Sequence, residues 1–342
     1  MIDNVKSIAL AAALGLGGLA ILKSINRRIN AYDFSGKVVL ITGGSRGLGL
    51  VIARKLASEG AKIAICSRNK EDLIKAKLEV ETITSEVIAI PTDLRDRTQV
   101  NKMMQSVRET YGLIDVLINN AGIIQVGPYD SMTIEDYEEA MSVHFWAPLY
   151  AMLAVIPHMR RRSQGRIVNI SSIGGKVSVP HLLPYSASKF ALTGLSEGLR
   201  SELKKDGIIV TTVCPGLMRT GSTRNIDVKG QHEKEYTWFK ISDSLPFLSM
   251  NVESSAKKII NACRYGDAEV VLSYPAKLAT AIHGVFPGTS ADFLAGINSI
   301  MPDNAEEGGM VKKKGYQSET AVTKSFLTAL DDEAADKNNE KE

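Results

Sequence analysis

The chain has 342 residues, of which 44% are hydrophobic and 23% are charged, a composition typical of a globular protein. Its net charge is +3 and no basic stripe is interleaved with aromatic residues, which argues against a nucleic-acid partner. The three cysteines are widely spaced and form no Cys/His cluster, so we expect neither a disulfide framework nor a metal site, and free thiols fit a reducing compartment such as the cytosol.

The N-terminal segment, residues 1–34, contains an uncharged apolar run at 7–22 that is followed by Lys23, Arg27 and Arg28. A membrane-spanning helix usually needs about 20 apolar residues, and this run is shorter. It is therefore either a candidate membrane anchor or a helix packed on the main domain or on a partner subunit. A spanning segment followed by cations would place the main domain in the cytosol.

From Lys37 onward, short apolar runs alternate with amphipathic helical patterns. Alternation of this kind predicts βαβ units and a parallel sheet that is buried on both faces. We predict an α/β protein with a doubly wound (Rossmann) seven-stranded parallel sheet in a single domain. The predicted strands are KVVLIT, AKIAICS, EVIAIPTD, IDVLINNAG, GRIVNISS, IIVTTVCPG and AEVVLS.

This domain is predicted to span residues 35–273, with an insertion at 217–267 between the last two strands. The insertion is interpreted as a lid, although ordinary core packing would also explain its apolar side chains. Residues 274–301 form a mildly apolar extension. Residues 302–342 are rich in charged residues and Asn, which predicts a mobile tail with a short helix at 325–337 that can dock. The apolar side chains assigned to the lid are Trp238, Phe239, Leu245, Phe247 and Leu248.

The stretch ITGGSRGLGL follows the first strand and opens the first helix. Glycines at these spacings let the backbone approach a pyrophosphate, and the helix N-terminus offers free N–H groups. A plain glycine-rich turn is the alternative, but the strand–turn–helix context favours a dinucleotide site. The residues of this loop assigned to the cofactor are Gly43, Ser45, Arg46, Gly47, Leu48 and Gly49.

The end of the second strand indicates which dinucleotide binds. It reads CSRNK, without the carboxylate that would hold the ribose 2′-OH of NAD. Arg68 here and Arg46 in the glycine loop suit a 2′-phosphate, so the predicted cofactor is NADP(H); the alternative is that Arg68 is a solvated surface cation. Asp93, followed by Leu94, ends the third strand and either accepts a hydrogen bond from the adenine amine or caps the next helix.

Tyr185 and Lys189 lie one helical turn apart in YSASKF. We expect the lysine ammonium to stabilise the phenolate and lower the tyrosine pKa, so that Tyr185 acts as general acid or base. Ser172 follows the fifth strand, where its hydroxyl can bind the substrate oxygen. The alternatives are a chance Tyr/Lys pair on an amphipathic helix and a loop-capping serine.

Five motifs in this order, TGGSRGLG, NNAG, Ser172, YSASK and PGLMRT, resemble the short-chain dehydrogenases/reductases over about residues 35–273. The resemblance implies that Ser172, Tyr185 and Lys189 are catalytic and that the protein is a homodimer or homotetramer. It also implies cofactor contacts from Asn120, Ala121, Gly122, Tyr185, Lys189, Pro215, Gly216 and Thr220.

One position departs from this family. Where the family usually has an asparagine that helps hold a proton-relay water, this chain has His144, in SVHFWAP. The histidine either holds the water and relays a proton in place of the asparagine or is a packed helix residue.

The stretch GKVSVPHLLPYSASKFAL is similar to the hydroxysteroid dehydrogenase-like, carbonyl reductase branch of the family. This similarity and the apolar N-terminus imply a lipophilic carbonyl or alcohol as substrate. The resulting hypothesis is an NADP(H)-dependent oxidoreductase that is cytoplasmic and membrane-associated through residues 7–22. The competing hypotheses are a dinucleotide-sensing or scaffold protein that has lost its chemistry and a membrane-anchored subunit of a complex.

Overall fold

The structure is a computed structural model that describes Arg27 and residues 31–305 and 308–341, so the candidate anchor at 7–22 lies outside the described residues. The strands are, in chain order, β1 (Val38–Thr42), β2 (Lys62–Ser67), β3 (Val87–Pro91), β4 (Val116–Asn119), β5 (Gln125–Val126), β6 (Gly165–Ile170), β7 (Ile208–Cys214), β8 (Leu217–Arg219), β9 (Asp227–Val228), β10 (Ser249–Asn251), β11 (Glu269–Val271) and β12 (Lys313–Lys314).

Between β1, β2, β3, β4, β6, β7 and β11, the helices of the described residues alternate with the strands as the sequence predicts. They are α1 (Gly47–Ser58), α2 (Lys70–Glu81), α3 (Arg97–Tyr111), α4 (Ile134–Met141), α5 (Ala147–Arg161), α6 (Leu183–Leu203), α7 (His232–Ser244), α8 (Val252–Tyr265), α9 (Tyr274–Val285), α10 (Pro287–Asn298) and α11 (Ala329–Lys337).

The main sheet has seven strands in the order β11-β7-β6-β4-β1-β2-β3, and all its pairs are parallel. The prediction of a seven-stranded doubly wound sheet is therefore confirmed. The chain leaves β1 towards β2 on one side and later returns to β4 on the other. This reversal opens a crevice at the carboxyl ends of β1 and β4, where such sheets bind ligands.

The sheet is buried on both faces because its strands are apolar throughout. In β1, Val39 and Ile41 pack in one core with α1 and α8, whereas Val38 and Leu40 pack in a second core with α3 and α5. Burial on both faces leaves only the strand ends accessible, so the site-forming loops lie at those ends.

The long helix predicted after the NNAG loop is divided by a π-helical turn at Ser142–Trp146 between α4 and α5. Within the described residues, Ile134–Arg161 is the one helix long and apolar enough to cross a membrane. Ala151, Met152 and Val155 of α5 are buried in the second core, so it serves here as a core helix of the domain. The π turn widens the helix at the position of His144, as π turns at functional sites often do.

The predicted lid insertion at 217–267 consists of two parts. Residues up to Asn251 form β8, β9, α7 and β10 over the cleft, whereas α8 belongs to the main domain because its Ala256 and Ile259 are fully buried in the first core. Only the first part can serve as a lid.

Residues 313–341 pack against the lid, where the composition favours a mobile tail, and the short docking helix expected at 325–337 is present as α11. Strand β12 pairs with β9, and α11 packs against the lid with Asp331 and Ala335 buried. Charge complementarity replaces the missing apolar surface: Lys240 Nζ lies 2.8 Å from Asp332 Oδ1, and Lys314 Nζ lies 2.6 Å from Asp227 Oδ1.

Candidate active site

A cleft of about 620 Å³ lies at the carboxyl ends of the central strands. The cleft is lined by every residue that we assigned to the site from the sequence, except Gly49 and His144. Gly49 and His144 lie immediately behind its wall: a Cβ on Gly49 would be 2.6 Å from Asn120 Nδ2, and a Cβ on Gly122 would be 3.2 Å from His144 Nε2.

The glycine loop is held by the NNAG loop. The Asn120 side chain donates to the carbonyl oxygens of Thr42 (3.0 Å) and Gly43 (3.1 Å), while Thr42 Oγ1 accepts from the Asn120 N–H at 3.0 Å. Gly43 has φ +63°, and a Cβ there would lie 2.8 Å from Ala121 Cα. A larger residue would push the two loops apart, so glycine is required for this cradle. The cradle fits a dinucleotide pyrophosphate, because it ends at the N-terminus of α1.

The cationic side chains that fit a 2′-phosphate lie beside this cradle. Arg46 and Arg68 both line the cleft, and Arg68 is exposed. Ser67, the last residue of β2, is half-buried. Arg46 Nε lies 3.4 Å from Glu340 Oε2. Arg68 is therefore accessible beside the cradle, whereas Arg46 is engaged by Glu340.

Asp93 does not cap the helix that follows it. Its carboxylate pairs with Arg95, whose Nη2 lies 2.6 Å from Asp93 Oδ2, and this hydrogen bond helps to hold the pKa of Asp93 below its usual value. Asp96 caps α3 instead, accepting from the N–H groups of Thr98 and Gln99. The capping alternative for Asp93 is therefore wrong, whereas Asp93 and buried Leu94 both line the cleft.

Tyr185 stands in the first turn of α6, just after Pro184. Enclosure by packed protein atoms raises the pKa of Tyr185 to about 12, opposed by a hydrogen bond with Ser172. Lys189 Nζ lies 5.6 Å from the centroid of the Tyr185 ring. Desolvation is the largest influence on the Tyr185 pKa here, and Lys189 is not among the groups that lower it. A phenol with this pKa is protonated at neutral pH.

Lys189 is only 4% exposed, and its Nζ donates to the carbonyl oxygen of Ile170 at 2.9 Å. Burial lowers the pKa of Lys189 from 10.5 to about 7, since the charged form loses its hydration. The amine therefore titrates near neutrality. It lies beside the NNAG loop: a Cβ on Gly122 would be 3.8 Å from Lys189 Nζ.

His144 connects the NNAG loop with α6. Its Nε2 accepts from the Ile123 N–H at 3.1 Å, and its Nδ1 lies 2.7 Å from Ser188 Oγ, which donates to the Tyr185 carbonyl oxygen at 2.8 Å. This network assigns the ring hydrogen to Nδ1. Burial, with Lys189 nearby, holds the pKa of His144 well below 6.5. Both ring nitrogens are engaged within the protein, which favours the packed-residue interpretation of His144.

The loop after β7 closes the far side of the cleft. The Pro215 carbonyl accepts from the Ile173 N–H at 2.6 Å, Gly216 lies against Ser273, and Thr220 is buried with its hydroxyl 2.7 Å from Ser222 Oγ. Most of the surface here is apolar. Its apolar lining includes Val179, Leu182, Leu217, Met218, Trp238, Phe239, Leu248, Ala276 and Ala279.

Of the predicted lid side chains, Trp238, Phe239 and Leu248 line the cleft, whereas Phe247 is 90% exposed and Leu245 lies outside the lining. Several polar lining residues were not assigned to the site from the sequence, among them Asn225, Asp243 and Glu340. None of them belongs to a motif, and the composition of the C-terminal segment carries no signal for where Glu340 docks.

Comparison with known proteins gives consistent results. A model of the short chain dehydrogenase family matches residues 37–230. A dehydrogenase/reductase SDR family protein 7-like from Anopheles gambiae is 37% identical over 212 residues, which cover 60% of this chain and 67% of that protein. The 3-ketodihydrosphingosine reductase of Bos taurus is 32% identical over 235 residues, covering 65% of this chain and 71% of its own length. The crystal structure of L-sorbose reductase from Gluconobacter frateurii, complexed with NADPH and L-sorbose, matches with a TM-score of 0.63 and 26% identity, covering 71% of this chain and 97% of that chain.

Proposed function

Because this chain belongs to the short-chain dehydrogenase/reductase family, we propose that it is an NADP(H)-dependent oxidoreductase that interconverts a ketone or aldehyde and an alcohol on a lipophilic small molecule. One observation carries the proposal: Ser172, Tyr185 and Lys189 converge on the cleft that also contains the glycine loop. The hydroxyl, the phenol and the amine thus belong to one cleft, in which a carbonyl oxygen would bind beside Ser172 and Tyr185.

In the reducing direction, Tyr185 starts protonated because enclosure raises its pKa to about 12. Its phenol donates a proton to the carbonyl oxygen, and the Ser172 hydroxyl hydrogen-bonds the same oxygen and holds it in place. The dinucleotide, when bound along the glycine loop, supplies the hydride for the adjoining carbon. In the oxidising direction Tyr185 must first lose its proton, so that the phenolate can accept the proton of the alcohol.

Consumption of NADPH with a panel of aldehydes and ketones tests the proposal. We expect Tyr185→Phe to bind NADPH as the wild type does and to lose at least about 10²-fold in turnover, since general acid catalysis contributes this much. Tyr129→Phe, at a tyrosine that is 74% exposed, is the matched control. Turnover that survives in Tyr185→Phe would contradict the mechanism. NADPH binding without turnover in any of the three proteins would instead support the sensor or scaffold hypothesis.

The preference for NADP(H) over NAD(H) rests on Arg46 and Arg68. The NADPH in the related L-sorbose reductase structure is consistent with it. We expect Arg68→Ala to reduce the ratio of kcat/KM for NADPH to that for NADH by about tenfold or more, because one phosphate contact is lost. Arg161→Ala, at an exposed arginine on α5, should leave this ratio unchanged. An unchanged ratio in Arg68→Ala would exclude Arg68 as the determinant.

The proposed lipophilic substrate rests on the apolar lining of the cleft, with Trp238 and Phe239 contributed by the lid. The similarity to a 3-ketodihydrosphingosine reductase points in the same direction. In a series of ketones of increasing chain length, kcat/KM should rise by about fourfold per added methylene, since each buried methylene contributes about 0.8 kcal/mol. If kcat/KM does not change with chain length, the substrate is polar.

We also propose that the protein is cytoplasmic and contacts a membrane through residues 7–22. The α9–α10 hairpin supports this with a second apolar surface, since Tyr274 is 86%, Phe286 60% and Phe293 68% exposed. Flotation with phosphatidylcholine vesicles should be lost on deletion of residues 7–22 and weakened by Phe286→Ser. Full flotation of both variants would refute membrane contact at these sites.

A homodimer or homotetramer is the proposed assembly. Large apolar side chains are exposed on the long helices, among them Trp146 (45%) and Leu153 (52%) at α5 and Phe190 (42%) on α6. We expect Leu153→Glu to reduce the molar mass measured by light scattering, whereas Leu78→Glu on α2 should leave it unchanged.

A further inference from the structure

The C-terminal segment from α11 to Lys341, here called the strap, lies across the proposed dinucleotide site, and the inference below rests on the proposed function. Arg46, at the N-cap position of α1, makes no side-chain cap, and the Gly47 N–H donates instead to the carbonyl oxygen of Asn338 at 2.8 Å. A strap carbonyl thus occupies the position at the helix N-terminus where a phosphate oxygen would bind.

The Glu340 carboxylate extends this resemblance to a phosphate. It lies against Gly47, its Oε2 accepts from Asn225 Nδ2 at 2.6 Å, and the same oxygen is 3.4 Å from Arg46 Nε. Glu340 is only 6% exposed. This carboxyl group contacts the glycine loop, an arginine and a helix N-terminus, which are the groups that bind a pyrophosphate.

Further contacts hold the strap in place. Asn339 Nδ2 donates to the carbonyl oxygens of Ser45 (2.9 Å) and Asp72 (3.2 Å), and Arg54 Nη1 donates to Asn338 Oδ1 at 3.0 Å. At the other end of the strap, Asp331 accepts from the Gly221 N–H at 2.8 Å. The strap therefore bridges the glycine loop and the loop after β7, which are the two walls of the cleft.

We propose that the strap is an intramolecular competitor of the dinucleotide, in which Asn338 and Glu340 occupy the phosphate cradle and must leave before the cofactor binds. The two occupants exclude each other because both need the Gly47 N–H and the Arg46 side chain. The apparent dissociation constant for the cofactor is then the intrinsic one divided by the fraction of molecules whose strap is released. Any change that releases the strap activates the enzyme by increasing cofactor affinity.

Asn339→Val tests the proposal in the full chain. Asn339 has φ +58°, a conformation that a β-branched residue adopts only with strain, and the substitution also removes two hydrogen bonds of the docked strap. We expect the Kd for NADPH, measured by nucleotide fluorescence, to fall by at least about threefold. Glu333→Ala, at an exposed residue of α11, should bind as the wild type does.

Hydrogen exchange supplies a second measurement. The docked strap has amides bonded within it, from Asn338 N–H to the Ala334 carbonyl and from Glu340 N–H to the Ala335 carbonyl. Added NADPH should increase exchange at these amides if the cofactor displaces the strap. Equal NADPH affinity in Asn339→Val and wild type, or increased protection of the strap by NADPH, would overturn the inference while leaving the proposed function intact. Absence of NADPH and NADH binding in every variant would refute the proposed function and this inference with it.

Discussion

At Tyr185 and Lys189, desolvation shifts both pKa values more strongly than the two groups shift each other. Enclosure raises the pKa of the phenol to about 12, and burial lowers the pKa of the amine to about 7. The neutral forms of both groups are thereby favoured, which suits a proton donor but leaves little charge to stabilise a phenolate. The residue types and their spacing were predictable from the sequence, whereas this balance depends on packing from distant parts of the chain.

Replacement of Lys189 by Met should abolish most turnover and yet stabilise the fold at pH 7. Between pH 7 and about 10, the unfolded chain binds a proton on Lys189 that the folded chain lacks, so stability from this group rises with pH. Lys189→Met removes this dependence of stability on pH. The Tm of the variant should exceed that of the wild type at pH 7 and approach the wild-type value near pH 10. Lys75→Met, at an exposed lysine on α2, controls for the loss of one charge. A lower Tm in Lys189→Met at pH 7 would contradict the assigned pKa.

His144 is expected to position the loops without titrating. Because its pKa lies well below 6.5, the pH profile of kcat/KM between pH 6 and 9 should have the same shape in His144→Asn and wild type, with a lower plateau in the variant. A proton relay through the ring would instead move an apparent pKa. His144→Ala should additionally lose about 1–3 kcal/mol of stability, because the buried Ile123 N–H loses its acceptor.

At the scale of elements, residues 313–341 and the lid stabilise each other through charged contacts. Lys240, which is fully buried, pairs with Asp332 of α11, and Arg224 pairs with Glu319. A composition rich in charged residues and Asn is typical of disorder, and it misled the sequence analysis here because complementary charges lie on the lid. Helices and strands of the main domain were predictable because their apolar periodicity is local. A docking helix at 325–337 was predicted as well, but the surface that it contacts was not, because its partner charges lie far away in the sequence.

The proposed competition between strap and cofactor should depend on pH. Burial raises the pKa of docked Glu340 to about 7, with Asp331 and Asp72 acting in the same direction and Arg46 and Asn225 opposing it. Released Glu340 would have a pKa of about 4.3, so docking is strongest below that pH and weakens as the pH rises to about 7. The Kd for NADH, which lacks the titrating 2′-phosphate, should therefore fall several-fold between pH 5 and 7.5.

Glu340→Gln is the control for this pH effect, since its amide stays neutral at every pH. The variant should bind NADH with little dependence on pH and more weakly than the wild type above pH 7. A wild-type Kd that does not change between pH 5 and 7.5 would show that Glu340 does not titrate in competition with the cofactor.

At the scale of the molecule, the sheet order, the glycine loop and the Ser/Tyr/Lys group were predictable because strand ends of a doubly wound sheet meet at one edge. The docking of Glu340 at Gly47 was not predictable, because the two residues are almost 300 positions apart and no sequence pattern relates them. The hydrogen bonds of His144 and the division of the insertion into a lid and a core helix likewise depend on contacts between distant elements.

A buried charge cluster connects the lid, α4 and the C-terminal segment. Lys229 is buried and pairs with Asp136, which also lies 3.6 Å from Lys312 Nζ. Lys229→Met leaves the Asp136 carboxylate with a weaker partner, so we expect about 3 kcal/mol of destabilisation in chemical unfolding. Adding Asp136→Asn should recover part of this loss. Additive losses in the double variant would show that the two residues do not stabilise the fold as a pair.

The tether between the strap and its docking site also determines how the enzyme responds to its surroundings. A covalently linked competitor acts at an effective concentration of the order of millimolar, and the ratio of this concentration to its own dissociation constant sets how far the apparent Kd of the dinucleotide is raised. The dinucleotide concentration at which half of the protein is saturated is therefore raised. The turnover rate then varies with the concentration of the reduced dinucleotide. A short acidic sequence at one end of the chain would in this way make the rate of carbonyl reduction report on the reducing capacity of the cell.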